Sequence, residues 1–258
     1  MGIRENVLRV REEVAEACAR AGRAESSVEL MAVSKMHPVS AIEEAYAAGM
    51  RLFGENKVQE FQGKAAIVRG LGRDAFTRPK EVGGDGATAR GGADRFFASA
   101  MGEARVHLIG HLQSNKTAKA AELFDCVESV DSLKVGLRLS EAAVALGKVL
   151  PVLIEVKLSE EESKEGIAAE ELLPMLEALR GAAGIVVRGL MTVPPWSEDA
   201  EVARPYFRRL RELRDSCTGF DLPELSMGMT NDFRVAIEEG STCVRVGTAI
   251  FGKRLKAE

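Results

Sequence analysis

Short apolar runs alternate with amphipathic stretches along this chain. The runs are VELMAVS (28–34), RLFGE (51–55), VHLIGHL (106–112), CVESVDS (126–132), PVLIEVKL (151–158), IVVRGLMTV (185–193), ELSMG (224–228) and CVRVGTAIF (243–251). Several are almost continuously apolar, as parallel strands are when both faces are covered. The stretches between them, such as AIEEAYAAG and EELLPMLEALRGAAG, repeat apolar residues at helical spacing and stop at glycine. Ahead of the first run, Ile3, Val7, Val10 and Val14 mark one face of a helix over 2–21, which is expected to pack on the outside of the fold. Eight strand–helix units in 258 residues favour a closed parallel barrel over an open doubly wound sheet. The expected fold is α/β: a single (β/α)8 TIM-type barrel domain over 1–258 with an extra N-terminal helix.

One stretch breaks the rhythm. Residues 71–103 contain GRDAFTRPKEVGGDGATARGGADRF, dense in glycine and charge. That composition predicts a flexible insertion, with the neighbouring FFASAM a candidate short helix. The remaining composition mostly excludes. A formal net charge of −4 supplies no basic field for nucleic acid or an anionic membrane. Cys18, Cys126, Cys217 and Cys243 are far apart and form no CxxC pair, which argues against a zinc site and a disulfide framework. No apolar run approaches the roughly 18 residues of a membrane span, and MGIRENVLRV has no signal-peptide core. A monomer in the reducing cytoplasm is expected.

In such barrels chemistry gathers at the C-terminal strand ends. Lys35 closes the first run and precedes a Pro-initiated helix. Partial desolvation there lowers a lysine pKa and frees the amine to form an imine with an aldehyde. A surface lysine snorkelling at a strand end fits that position equally well. The turns SMGMTND and VGTAIFG follow the seventh and eighth strands, where barrels usually hold phosphate. Glycine lets backbone N–H groups approach an anion, and Ser or Thr hydroxyls add donors. Ordinary tight turns are the alternative for either one alone. Arg245 alternates with Val244 and Val246, so it points into the barrel if they face the helices. Its acceptor is open between a pyridine nitrogen and a structural carboxylate such as Glu155. The histidines, His37, His107 and His111, show no carboxylate spacing that supports a metal triad. Trp196, after two prolines, reads as loop packing.

The motifs AVSKMHP, FGENKVQEF, HLIGHLQSNK, SVDS, GLMTV, LSMGMTND and VRVGTAIFG span residues 32 to 252. In this order they resemble the pyridoxal phosphate homeostasis protein family. The resemblance implies a stand-alone barrel like the N-terminal domain of alanine racemase, binding pyridoxal 5′-phosphate (PLP). It implies a Schiff base to PLP on Lys35 and places Asn56 beside the ring. It assigns Ser226, Gly228, Gly247 and Thr248 to a phosphate cradle, and Arg245 to the pyridine nitrogen. The implied function is to buffer PLP or deliver it to apo-enzymes, so maintaining vitamin B6 and amino-acid/keto-acid homeostasis without catalysis. Two departures are Met36, where the family usually has Thr or another polar residue, and Val106, where an aromatic is common. A PLP-dependent racemase-like enzyme and a phosphate-binding aldolase using Lys35 are the alternatives. Against the racemase, the sequence runs only to Glu258, so no second β-domain is expected, and its only tyrosines are Tyr46 and Tyr206. Neither is expected at a strand's C-terminal end, where an opposite-face acid would stand.

Overall fold

The protein is described by a computed structural model covering residues 2–71, 103–159 and 165–252. Eight parallel strands close in sequence order, with the last beside the first. They are β1 (Glu29–Val33), β2 (Leu52–Glu55), β3 (Arg105–Leu108), β4 (Cys126–Val130), β5 (Leu150–Glu155), β6 (Ile185–Met191), β7 (Glu224–Met229) and β8 (Cys243–Val246). The helices are α1 (Ile3–Arg20), α2 (Val39–Ala47), α3 (Val58–Gln62), α4 (Ala65–Val68), α5 (Thr117–Leu123), α6 (Leu133–Ala145), α7 (Leu172–Leu179), α8 (Arg204–Ser216), α9 (Phe233–Glu238) and α10 (Thr248–Phe251). The expected TIM-type barrel is therefore present. Most of the expected insertion, including FFASAM, lies outside the described residues.

Period-two alternation sorts the strand residues into two cores. Phe53, Leu150, Val152, Ile154, Val244 and Val246 face outward, into the apolar layer under the helices. Met31, Val33, Leu52 and Cys243 meet inside the barrel. Gly54 makes room there, because a Cβ at that position would lie 2.6 Å from Met31 Sδ. The rest of the interior carries buried polar groups, among them Glu128, Glu155, Ser226 and Arg245.

The N-terminal helix does more than decorate the outside. Val7, Val10, Val14 and Ala17 recur every three or four residues and are buried. Through them α1 packs on α2, α9 and α10. The helix after β8 is only the four-residue α10, so α1 covers the seam where β8 meets β1. Asn6 Nδ2 and Arg9 Nη2 donate to the carbonyls of Ile250 and Ala249, both at 2.9 Å. That pins α10, and the turn before it, in place.

Several strands end earlier than their apolar runs. β3 stops at Leu108, because the chain must then pass tightly over the end of β2. A Cβ on Gly110 would lie 2.4 Å from the Asn56 carbonyl oxygen. β4 stops at Val130, and Ser132 instead caps α6, its hydroxyl accepting from Val135 N–H at 3.4 Å. β8 stops at Val246, and the TAIF of its run is helical.

Candidate functional site

The inward alternation of β1 continues past its end: Val33 in, Ser34 out, Lys35 in. The turn that presents Lys35 is held from outside the barrel. Ser34 Oγ donates to Glu55 Oε1 at 2.8 Å. The N–H of Met36 donates to Glu60 Oε1 at 2.5 Å. Lys64 Nζ reaches Glu60 at 2.7 Å, Glu55 at 3.2 Å and the Ser34 carbonyl at 3.4 Å. Met36 has φ +63°, in the left-handed region, which costs a residue with a side chain about 1–2 kcal/mol. The Glu60 contact offsets that cost. Burial opposes ionisation of Glu60, but Lys64 and the Met36 amide outweigh it and hold its carboxyl below the ordinary range. Glu55 is fully buried, and burial prevails over Lys64 and Ser34 to push it up.

Lys35, half-buried, opens onto a cavity of about 540 Å³ at the C-terminal mouth. That lies within the roughly 300–1,000 Å³ of small-molecule sites. Asn56, Arg245, Gly247 and Thr248 share its wall. Asn56 Oδ1 is buried without a hydrogen-bond partner among the described residues, an orphaned acceptor that a ligand donor would satisfy. Gly247 has φ −108°, and a Cβ there would approach nothing closer than 3.4 Å. Its bareness is therefore not forced by the backbone; it leaves the cavity wall open. Beside it, the first N–H groups of α10 have no partner within the helix. His37 stacks on Phe251 with ring centroids 4.8 Å apart, joining the β1 and β8 sides of the mouth. Asp232 lies on the same wall and caps Met229 N–H at 2.6 Å. Burial pushes its carboxyl up, which weakens its charge against an anion. Another cavity, of about 580 Å³, lines Arg11, Glu29 and Arg51 and contains none of the expected site residues.

Arg245 points into the barrel, as its alternation predicts. Its Nη1 donates to Ser226 Oγ at 2.7 Å and its Nη2 to the Thr192 carbonyl at 2.8 Å. Ser226 Oγ donates onward to Glu128 Oε2 at 2.5 Å, and Glu128 Oε1 meets His107 Nδ1 at 2.7 Å. Burial raises Glu128, but His107, Arg245 and Ser226 together overcome it and hold the carboxyl below its usual range. The carboxylate that balances this arginine is thus Glu128, through a serine. Glu155 acts on it only through space. Ser226 itself is enclosed in this chain and does not line the cavity. Gly228 is also off the wall: it has φ +95°, and a Cβ would lie 2.5 Å from that of Ala236.

The model of the alanine racemase N-terminal domain family matches residues 6–254. The pyridoxal phosphate homeostasis protein of Pseudomonas aeruginosa PAO1 is 40% identical over 253 residues, 98% of this chain and 96% of that one. This chain belongs to the pyridoxal phosphate homeostasis protein family. PipY of Synechococcus elongatus PCC7942, solved with PLP bound, aligns with a TM-score of 0.71 at 36% identity, over 93% of this chain and all of that one. Alanine racemase of Clostridium difficile 630 gives a TM-score of 0.65 at 11% identity, and this chain covers 58% of it. That likeness is one of fold alone.

Within this family member, three groups of residues carry no sequence signal strong enough to find them. Glu60 and Lys64 are readable as an i,i+4 pair, but not as a clamp on Met36. His107 and Glu128 share a bond across 21 positions. His111, Asp131 and Glu165 come together from three separate loops.

Proposed function

We propose that this protein holds PLP as a Schiff base on Lys35 in the mouth cavity, and buffers it or hands it to apo-enzymes. In doing so it keeps vitamin B6 and the amino-acid/keto-acid balance steady, working as a monomer in the cytoplasm. The observation that carries this reading is the convergence of Lys35, the orphaned acceptor of Asn56, Arg245 and the Gly247–Thr248 turn on one cavity. A relative of 36% identity solved with PLP bound supports it. Four buried, unbridged cysteines suit a reducing compartment.

When bound, PLP supplies an aldehyde for the lysine and a ring that can withdraw electrons. The residues here favour keeping it over using it. Ser226 and Glu128 hold Arg245 inside the barrel, and an arginine meeting the ring nitrogen would oppose its protonation. The ring would then be a weak electron sink. Racemisation needs a proton donor on each face of the substrate. Tyr46 lies in α2 and Tyr206 in α8, and neither lines the cavity.

The test has two arms. PLP-loaded protein should restore activity to an apo-PLP-enzyme. In deuterated water with L-alanine it should yield no multiple turnovers to the D-form. Lys35-dependent turnover to D-alanine would make it an enzyme instead.

A further inference from the structure

We propose that His111, Asp131 and Glu165 form a binding site for a divalent cation of the zinc class at the barrel mouth, outside the Lys35 cavity. His111 follows β3 and Asp131 follows β4 directly. Glu165 precedes Gly166, in a segment laid against β5: Ile167 N–H donates to the Glu155 carbonyl at 2.9 Å, and Lys157 N–H to the Ile167 carbonyl at 2.8 Å. None of the three lines the PLP cavity.

The geometry needs little adjustment. His111 Nδ1 lies 2.7 Å from Asp131 Oδ2 and 3.3 Å from Glu165 Oε2. One donor atom from each residue falls within 4.8 Å of the others. Zinc bonds to nitrogen and oxygen of about 2.0–2.1 Å give a tetrahedron with edges of roughly 3.3 Å. Zinc accepts both nitrogen and carboxylate donors, and these three would leave a fourth position for water.

A second, independent observation points at the same spot. Val130 pairs with Ile154 across β4 and β5, and both face the outer core. Asp131 and Glu155 are the next residues in register, so both turn inward at the mouth. Glu155 is 7% exposed, and while its backbone carbonyl accepts from Ile167, its side-chain carboxylate makes no hydrogen bond or ion pair among the described residues. Its carboxyl lies close enough to Asp131, Glu165, His111 and Arg245 for all four to act on it through space. A buried carboxylate without a donor is costly. A cation on its two carboxylate neighbours would relieve it.

Competing ligands are few. The four cysteines are buried, His107 is buried against Glu128, and His37 is stacked on Phe251. The ion would tie the loop after β3, the end of β4 and the segment before Ile167 into one unit.

The experiment uses cobalt(II) alone, as a visible zinc surrogate, with full-length protein freed of metal by chelation. One ion per chain should bind, with the visible absorption of a four- or five-coordinate site, and zinc should displace it. His111→Ala and Asp131→Asn should each weaken binding about tenfold or more, and Glu155→Gln by a smaller factor. Glu165→Gln, at a side chain that is more than half exposed, tests the site without threatening the fold. Lys35→Ala should bind cobalt like the parent protein, so the result stands apart from the PLP reading. Absence of saturable binding, or binding unchanged in His111→Ala, Asp131→Asn and Glu165→Gln alike, would overturn the proposal.

Discussion

At Gly247 and Gly228 the same substitution has two different consequences. Gly247→Val meets a permissive backbone and no contact under 3.4 Å, so the fold should survive while the side chain fills the cavity wall. PLP affinity should fall at least tenfold with the melting temperature nearly unchanged, read by fluorescence titration and calorimetry. Gly228→Val would strain a φ of +95° and overlap Ala236, so lost binding there would report damage to the barrel. Glu155 yields a pH prediction. Its folded pKa, about 7, lies above its ordinary 4.5, so the native state binds the extra proton between those values. Its contribution to stability is complete below about pH 4.5 and is lost as pH rises through 7. Glu155→Gln should flatten that slope and raise stability above pH 7 by roughly 3 kcal/mol. Urea unfolding with chelator present at pH 5 and pH 8 measures both. An unchanged slope would mean that Glu155 is not the buried acid responsible.

Among the elements, α3 and the Lys35 turn are coupled more closely than their sequences suggest. Glu60→Gln weakens the one hydrogen bond that holds the strained Met36 amide among the described residues and leaves Lys64, 12% exposed, short of a charge partner. Unfolding free energy should fall by about 1–3 kcal/mol. Denaturant unfolding checks it, and no loss would mean that the turn holds itself. Element identity was legible because burial on both faces writes nearly continuous apolar runs, as in LPVLIE of β5. Element ends were less so. Nothing in HLIGHL announces that Gly110 must pass over Asn56, and nothing in VGTAIFG marks where strand becomes helix. Alternation correctly sent Arg245 inward, yet it does not tell depth, so the enclosure of Ser226 between Arg245 and Glu128 had to be seen. Lys35, Asn56 and Gly247 were readable because strand ends bring their chemistry to one mouth. His111, Asp131 and Glu165 were not, since long-range pairing leaves no spacing.

The whole molecule is a barrel whose long β2–β3 connection leaves and returns at one point. The N–H of Ala104 donates to the Leu71 carbonyl at 3.4 Å, at the N-terminal end of β3 and away from the mouth. We propose that the segment between them is dispensable to the single domain. Replacing 72–95 with a short linker should leave melting temperature and PLP affinity unchanged, and a large loss of either would show that the segment packs on the barrel. The bond to Lys35 matters most to the proposed function, and borohydride reduction reads it out. The protein loaded with PLP is reduced, digested and mapped by mass spectrometry, with Lys35→Ala in parallel. Expected are loss of the visible imine band on reduction, a pyridoxyl label on the Lys35 peptide, and neither band nor label in the variant, which still binds PLP weakly through the Gly247–Thr248 turn. A label on another lysine, or an undiminished reducible band in Lys35→Ala, would contradict it.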